Sequence, residues 1–372
     1  MKKASDEMDK KLTPENDWGM IQKPKNGLRM MDLFCGAGIG ATGFIRAGYD
    51  IVYAVDNQPY AVEAYNLNIG NHAVVGDIRR VKGQDLPGAD IVTGGFPCKS
   101  YSTIGKGKGE SDEKNGDLAG HFVRLIGEIR PKTFLFENVG GLLSKNHRDV
   151  FERILNDLES FGYRISWKYI DCSDYGVPQR RKRIFAVGTR NDLNFSFRFP
   201  EPSGLKTTIR QAIGDLGEPG EDPILNHIGY GIRKDESPFV DKIPPGGNWR
   251  NLPLEDQKTF LGGAFFAGGG RTGFLRKVSF DQPAWTLTSM MKGKNNAQIL
   301  DLSDKYDGER TGNRRFTVRE CLRLQTVPDH FYFPESISLV RQYERTSGIP
   351  SLIAYQLGIS LSEQLSSNTL KR

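Results

Sequence analysis

The sequence predicts an α/β fold in which a mostly parallel sheet, with helices on both faces, is joined to a smaller loop-rich domain. From residue 28 to residue 190, short apolar runs rich in β-branched and aromatic residues alternate with segments of helical period. Such alternation is typical of parallel sheets, because parallel neighbours need a long crossover between them. After residue 191 the chain is dense in glycine and proline, and helical patterning returns near residue 314.

The predicted elements divide the chain into four parts. The strands are RMMDLF, DIVYAVD, HAVVGDI, DIVTGGF, TFLFENV, YRISWKYI and RIFAVG. The helices between them are IGATGFIRAGY, PYAVEAYNLNIG, GHFVRLIGEIR and DVFERILNDLESFGY, in which apolar residues recur every three or four positions. We therefore expect an amino-terminal extension (1–27), a first domain (28–202), a second domain (203–313) and a return segment that packs on the first domain (314–372).

Composition limits the class of protein. The 372 residues contain no apolar run near the ~20 that a membrane-spanning helix needs. The amino terminus mixes both charge signs without the apolar stretch of a secretory signal, so we expect a cytoplasmic protein. Four cysteines and five histidines show no metal-ligand spacing, which predicts no metal site. A net charge of +6 suits a polyanionic partner.

The segment DLFCGAGIG, residues 32–40, predicts a cofactor turn. An apolar strand runs into glycines that open a helix, which brings backbone N–H groups close to a ligand. Asp56 ends the next strand, where a carboxylate can accept hydrogen bonds from ribose hydroxyls. Together they indicate a cofactor that contains adenosine. A dinucleotide is disfavoured, because the third glycine of that fingerprint is missing after Gly40. Asp77 suits an adenine amino group, or alternatively a helix N-cap.

Three further features indicate chemistry at the same edge of the sheet. In GGFPCKSYS, residues 94–102, Cys98 follows Phe-Pro on an extended loop beside glycines, which suits an exposed thiol; a structural cysteine is the equally open alternative. Glu137 ends the strand TFLFENV after a run of apolar residues. Arg181 and Arg183 alternate in an extended segment and would face the same side.

These motifs, in this order, resemble the cytosine-C5 DNA methyltransferase family of prokaryotic restriction-modification systems. The likeness is carried by DLFCGAGIG, GGFPC, ENV, QRRKRI and the late segment RRFTVRECLRLQTVPDHF, residues 314–331. The resemblance implies methyl transfer from S-adenosylmethionine to C5 of a flipped-out cytosine in duplex DNA, through a covalent adduct between Cys98 and C6. It also implies S-adenosylhomocysteine as product, a monomer on DNA and a cognate restriction endonuclease that acts separately.

The resemblance also assigns residues to roles. Cys98 is the nucleophile, Glu137 contacts cytosine N3, and Arg181 with Arg183 bracket the base and its acidic partner. The second domain would recognise the target sequence, with its Gly-rich stretch from Gly262 to Gly273 either a DNA-facing loop or a linker. The cofactor-binding residues implied are Phe34, Gly36, Ala37, Gly38, Asp56, Asn57, Asp77, Ile78, Pro97 and Leu118. The DNA-binding residues implied are Lys99, Ser102, Thr286 and Leu287.

The chain departs from the family pattern at three places. Lys99 replaces the glutamine that commonly follows the nucleophile, and a lysine could hold a phosphate instead. Asn57 replaces a large apolar residue beside the adenine. The last motif, usually G-N-x-V-P, is present only as SGIP at residues 347–350. Two alternatives of other kinds stay open: an RNA cytosine methyltransferase of the same fold, and a DNA-binding member without catalysis.

Overall fold

The computed structural model describes residues 18–97, 118–221, 224–266, 273–288 and 298–369, which fall into two compact units. Among the described residues, the first, here the sheet unit, lies within Gly19–Cys172, Lys182–Pro202 and 348–369. The second, here the loop-rich unit, comprises Trp18 and the described residues within Ser173–Arg181 and Ser203–Ser347.

Strands and α-helices within the described residues follow in chain order. The strands are β1 Arg29–Leu33, β2 Asp50–Asp56, β3 Ala73–Val75, β4 Ile91–Gly94, β5 Thr133–Val139, β6 Tyr163–Asp171, β7 Gln179–Arg180, β8 Lys182–Arg190, β9 Arg276–Lys277, β10 Ala284–Trp285, β11 Gln298–Asp301 and β12 Asn313–Arg315. The helices are α1 Ile39–Arg46, α2 Pro59–Asn68, α3 Leu118–Ile129, α4 Arg148–Ser160, α5 Ile209–Ile213, α6 Ser237–Val240, α7 Leu254–Leu261, α8 Gly263–Phe266, α9 Leu302–Lys305, α10 Val318–Leu324, α11 Leu339–Arg345 and α12 Ser351–Thr369.

The sheet unit is built on a seven-stranded sheet with the order β3-β2-β1-β4-β5-β8-β6. Strands β1 to β5 pair in parallel, whereas β8 runs antiparallel to both β5 and β6. This confirms the predicted α/β class with a mostly parallel sheet. The carboxyl ends of β1 to β5 lie at one edge of the sheet, the edge at which open α/β sheets bind ligands.

A core of aromatic side chains holds helices α3 and α4 against the sheet. Phe122 of α3 packs on Phe134 and Phe136 of β5 with ring centroids 6.2 and 5.9 Å apart, and all three rings are fully buried. Leu33 of β1 belongs to the same core. Since side chains alternate along a strand, Asp32 points to the other face of the sheet.

The loop-rich unit has short strands and buried ion pairs in place of a large sheet. Strand β7 pairs with β10, and β9, β11 and β12 form a second small sheet. The late motif forms α10, which begins at a capping box between Thr317 and Glu320. Arg323 of α10 lies 2.5 Å from Asp215 and 2.7 Å from Asp329, so this helix is tied to its surroundings by charge as well as by apolar contacts.

The division into units differs from the predicted domains at three places. The boundary at residue 203 coincides with the predicted one, but residues 314–347 belong to the loop-rich unit, and the return to the sheet unit starts at Gly348. Residues 173–181 join the loop-rich unit because β7 pairs with β10. Residues 19–27 belong to the sheet unit, where Asn26 and Gly48 share a backbone hydrogen bond of 2.9 Å.

None of the helices in the described ranges is long and apolar enough to cross a membrane.

Candidate active site

The chain turns sharply where β1 ends and α1 begins. Phe34, Gly36 and Gly38 all have positive φ, at 64°, 55° and 89°. A Cβ on Gly38 would lie 2.7 Å from a side-chain carbon of Ile69, so only glycine fits without a shift of its neighbours. Ala37 is buried. Helix α1 starts without a side-chain cap, and its first N–H groups are therefore available to a polar ligand.

Asp56 is tied to this turn. One oxygen of its carboxylate, Oδ2, accepts a hydrogen bond from the Gly36 N–H at 3.0 Å, and Oδ1 accepts one from the Gln58 N–H at 2.9 Å. The carboxylate therefore has a defined orientation at the end of β2. Two oxygens carry about four acceptor directions, so the Asp56 carboxylate can accept further hydrogen bonds from a ligand.

The segment after β3 supplies a second acid at the same edge. Asp77 is partly exposed and its carboxylate is held by Arg79, whose Nη2 lies 2.6 Å from Oδ2. Ile78 beside it is buried. Asn57, after β2, is exposed, and its side-chain oxygen accepts a hydrogen bond from Gln58 at 2.9 Å. The residue that stands at the position of the family's apolar adenine contact is therefore polar and exposed.

Sequence reasoning missed Asp32, although an acid inside the run RMMDLF was a visible signal. Its side chain is 9% exposed and has no hydrogen bond or ion pair to any residue of the described ranges. Burial, together with the nearby charge of Asp56, raises the pKa of Asp32 to about 8. Its register partner on β4, Thr93, is also buried and its hydroxyl lacks a partner there. Unpaired buried polar groups beside a ligand turn are expected where a ligand completes them.

The loop after β4 starts at Phe96, whose side chain and carbonyl are both held by contacts within the sheet unit. Phe96 is buried against Phe122 and Phe136, and its carbonyl accepts a hydrogen bond from the Asn138 amide at 3.3 Å. Pro97 is partly exposed. The predicted nucleophile Cys98 comes next, and with Lys99 and Ser102 it lies outside the described residues. Leu118, the first described residue after that loop, is buried at the start of α3.

Glu137 and Arg183 meet on neighbouring strands. Because β5 and β8 are antiparallel, Glu137 is level with Phe185 and Val139 with Arg183. Arg183 Nε lies 2.8 Å from Glu137 Oε1, and each side chain is 13% exposed. The other oxygen, Oε2, lies 3.7 Å from where a Cβ on Gly95 would stand. The acid therefore sits beside the loop that leads to Cys98.

Arg181 belongs to the other compact unit. It is 3% exposed, and its guanidinium donates to the Leu287 carbonyl at 3.4 Å and to the Ser347 hydroxyl at 3.5 Å. The Thr286 hydroxyl donates to the Arg180 carbonyl at 2.7 Å. Leu287 is buried, and its N–H donates to the side chain of Gln179 at 2.9 Å. Gln179, which sequence reasoning passed over, thereby holds the Thr286-Leu287 pair in place.

The atypical last motif packs on α1. A Cβ on Gly43 would lie 2.0 Å from the Ser351 carbonyl oxygen, so α1 and α12 are in close backbone contact. The hydroxyls of Thr42 and Ser351 lie 2.6 Å apart. Ile349 stands where the family has valine, and Ser347 where it has asparagine. Ile349 packs over Gly40, with 3.4 Å between its Cβ and a Cβ built there. The contact is apolar and offers the turn no polar side chain.

Comparisons with known proteins agree with this arrangement. The family model described as C-5 cytosine-specific DNA methylase matches residues 28–356. The Type II methyltransferase M.NgoFVII of Neisseria gonorrhoeae is 32% identical over 333 residues, which cover 87% of this chain and 83% of the relative. M.MthTI of Methanothermobacter thermautotrophicus, also named a Type II methyltransferase, is 32% identical over 91% of this chain and 96% of its own length.

Solved structures share the fold. The S. pombe Dnmt2 methyltransferase aligns with a TM-score of 0.63 at 18% identity, over 90% of this chain and 99% of its own. The Entamoeba histolytica methyltransferase EhMeth aligns with a TM-score of 0.65 at 16% identity, over 94% and 99%. With the family model matched over most of its length, the chain belongs to the C-5 cytosine-specific DNA methylase family and is a DNA (cytosine-5-)-methyltransferase.

Proposed function

We propose that this enzyme transfers the methyl group of S-adenosylmethionine to C5 of a flipped-out cytosine in a specific duplex DNA sequence, through a covalent bond between Cys98 and C6. The observation that carries the proposal is the Glu137–Arg183 ion pair beside Gly95. It places an oriented acid next to the loop that bears the only cysteine in the GGFPC motif.

The residues of the sheet unit fit the cofactor. S-adenosylmethionine has a neutral adenosine end with many hydrogen-bond donors and a methionine end that carries positive charge. The site offers carboxylates at Asp32, Asp56 and Asp77 and a glycine turn that a side chain at Gly38 would fill. Asp56 would accept from the ribose hydroxyls and Asp77 from the adenine amino group. When bound, the cofactor supplies an electrophilic methyl group.

Cys98 would activate the pyrimidine ring. Cytosine C5 is a weak nucleophile, and addition of the Cys98 thiolate to C6 breaks the aromaticity of the ring and makes C5 an enamine-like carbon. The S–C6 bond forms first and breaks last, after C5 has lost its proton to a base. A thiol with a pKa near 8.5 is only a few per cent ionised at pH 7, and nearby cations such as Lys99 or Arg183 would favour the thiolate.

Glu137 would stabilise charge on the ring. As addition at C6 proceeds, negative charge develops on N3, and an acid in hydrogen-bond contact with N3 lowers the barrier. Arg183 occupies one carboxyl oxygen and fixes the orientation of the other. The ring reaches these groups only after the nucleotide leaves the base stack, at a cost of a few kcal/mol.

The loop-rich unit would hold the duplex and recognise flanking bases. Arg181 and the Thr286-Leu287 pair are fixed within that unit, and we assign Leu287 a structural role, since its side chain is buried. Thr286, Lys99 and Ser102 remain proposed contacts to the DNA backbone. A separate cognate restriction endonuclease is the partner we propose, in keeping with the relatives named Type II methyltransferases. We also propose that the enzyme acts on DNA as a monomer.

Covalent trapping tests the proposal. Duplex DNA with 5-fluorocytosine at the target cannot lose a proton from C5, so the Cys98–C6 bond should persist once the methyl group has moved. Plasmid methylation sequencing first identifies the target. We expect a denaturation-resistant protein–DNA complex that depends on S-adenosylmethionine, together with loss of both the complex and turnover in Cys98→Ala.

The control is Cys172→Ala, which removes a buried cysteine of the sheet unit that lies outside the GGFPC motif. This variant should trap DNA as the wild type does. Methylation of ordinary DNA without any trapped complex on the fluorinated duplex would rule out the covalent route. Faster methylation of transfer RNA than of any duplex DNA would contradict the proposed substrate.

A further inference from the structure

The Asp77 carboxylate, in the segment after β3, is bonded from one side by Arg79. Arg79 donates to it from three N–H groups: its backbone N to Oδ1 at 3.0 Å, Nε to both Oδ1 at 2.9 Å and Oδ2 at 3.0 Å, and Nη2 to Oδ2 at 2.6 Å. A carboxylate has about four acceptor directions. These three hydrogens, one of them shared between both oxygens, therefore fix the plane of the carboxylate and leave it about one further direction in which to accept.

Helix α3 anchors the segment that carries this pair through hydrogen bonds. Arg124 Nη2 donates to the carbonyls of Ile78 at 3.1 Å and Val81 at 2.9 Å. Glu128 accepts from the Gly83 N–H at 2.6 Å and pairs with Arg124 at 2.7 Å. The backbone on both sides of Arg79 is thus anchored, so the fork it forms with Asp77 starts from a fixed position.

Asn57, in place of an apolar residue, makes binding at the proposed adenine site depend more on the hydrogen bond to Asp77. Asn57 is exposed and bonded to Gln58, so it provides little apolar surface for a purine ring. Ile78, next to Asp77, is buried in the apolar core of the sheet unit. With one apolar wall weakened, discrimination of adenine from other purines depends more on the hydrogen bond that Asp77 accepts.

We propose that Arg79 is a positioning residue for the cofactor: it holds the Asp77 carboxylate so that its remaining acceptor direction receives the 6-amino group of adenine. The inference rests on the proposed function, because it needs the cofactor at this site. Hydrogen bonds from the Arg79 side chain also lower the pKa of Asp77, which keeps the carboxylate ionised as an acceptor.

Calorimetric titration with two ligands tests this inference without turnover. S-adenosylhomocysteine carries the 6-amino group, and S-inosylhomocysteine carries a carbonyl oxygen there. The wild type should prefer the amino ligand. In Arg79→Gln that preference, measured as the ratio of the two Kd values, should fall about two- to fivefold, the size expected for an exposed but well-aligned ion pair. Lysine cannot form the fork, so Arg79→Lys should resemble Arg79→Gln.

The matched control is Arg233→Gln. Arg233 and Asp235 form a fork over the same two-residue separation, with Nε 2.9 Å from Oδ1, in the loop-rich unit. This variant should keep the wild-type ratio. An unchanged ratio in Arg79→Gln, equal weakening of both ligands, or full restoration by Arg79→Lys would each overturn the inference. A wild type that binds neither ligand would instead count against the proposed cofactor.

Discussion

At the scale of single residues, the site depends on pairs whose members are far apart in the chain. Glu137 and Arg183 are separated by an α-helix and two strands, yet antiparallel pairing of β5 with β8 sets them side by side. With 13% exposure each, their charges interact more strongly than they would in water. The pair leaves one oxygen of Glu137 directed toward Gly95, where the cytosine edge would need it.

We predict that Glu137→Gln lowers the single-turnover rate of methyl transfer about 10²- to 10⁴-fold, the range lost with one general acid. The amide can still donate one hydrogen bond but cannot deliver a proton. Binding of S-adenosylhomocysteine should not change. The control, Glu152→Gln, removes half of the exposed Arg148–Glu152 pair on α4 and should keep the wild-type rate. A Glu137→Gln rate within about twofold of the wild type would refute the assigned role.

At the scale of elements, the glycine turn between β1 and α1 joins the proposed cofactor site to the fold. Its positive φ angles let the chain reverse within four residues, and Asp56 of β2 fixes the turn through the Gly36 N–H. Tyr65 of α2 and Ile69, which directly follows that helix, would lie 3.0 and 2.7 Å from a Cβ on Gly38. A change in this turn therefore affects the ligand site and the packing of α2 together.

We predict that Gly38→Ala weakens S-adenosylhomocysteine binding and lowers Tm. The left-handed conformation costs an alanine about 1 kcal/mol, and the overlap with Ile69 adds about 1–3 kcal/mol. Gly220→Ala is the control, because Gly220 has a similar φ of 93° but no atom within 4 Å of its added Cβ. Gly220→Ala should lose only the cost of the left-handed conformation, about 1 kcal/mol, and should bind S-adenosylhomocysteine as the wild type does. Equal destabilisation by the two variants would show that the contact with Ile69 is unimportant.

At the scale of the whole molecule, buried charge distinguishes the loop-rich unit from the sheet unit. Glu218 pairs with Lys305 at 2.9 Å and with Arg314, and Arg314 also pairs with Glu320 at 2.7 Å. Arg315 and Glu236 form a further ion pair, 1% and 0% exposed. Such groups cost free energy to bury and must keep their partners, so they favour one arrangement of the loops over others.

We predict that this unit loses stability in acid through Glu218. Burial opposes ionisation, but hydrogen bonds from Arg314 and Lys305 outweigh it and lower the pKa of Glu218 to about 2 from an ordinary 4.5. Because the folded pKa is the lower one, this contribution is complete above pH 4.5 and is lost as pH falls toward 2. It amounts to at most about 3 kcal/mol and less after solvent screening.

The measurement is urea unfolding of the wild type and Glu218→Gln across this pH range. The wild type should be the more stable protein at pH 6, and the difference between the two should shrink between pH 4.5 and pH 2. The exposed pair Lys258–Glu255 gives the control, Glu255→Gln, for which we expect little difference at any pH. A constant difference between wild type and Glu218→Gln would contradict the assigned pKa.

The sequence alone determined the α/β class with a mostly parallel sheet and the family, since these depend on local periodicity and contiguous motifs. It also singled out Asp56, Asp77 and Glu137 as candidates, because an acid at or after the end of an apolar strand stands out. It passed over Asp32, whose importance comes from burial beside Asp56, and Arg79, which resembles any surface cation until its bonds to Asp77 are seen.

Only the tertiary structure decided which distant groups meet. Strand direction paired Arg183 with Glu137, and contact of β7 with β10 drew residues 173–181 into the loop-rich unit. Ion pairs of Arg314 with Glu218 and of Arg315 with Glu236 tie residues 314–347 to that unit, so the return to the sheet starts later than patterning predicted. Local patterns record which residues prefer to be helical or buried, whereas long-range pairing depends on the packing free energy of the whole fold, which no short stretch of sequence contains.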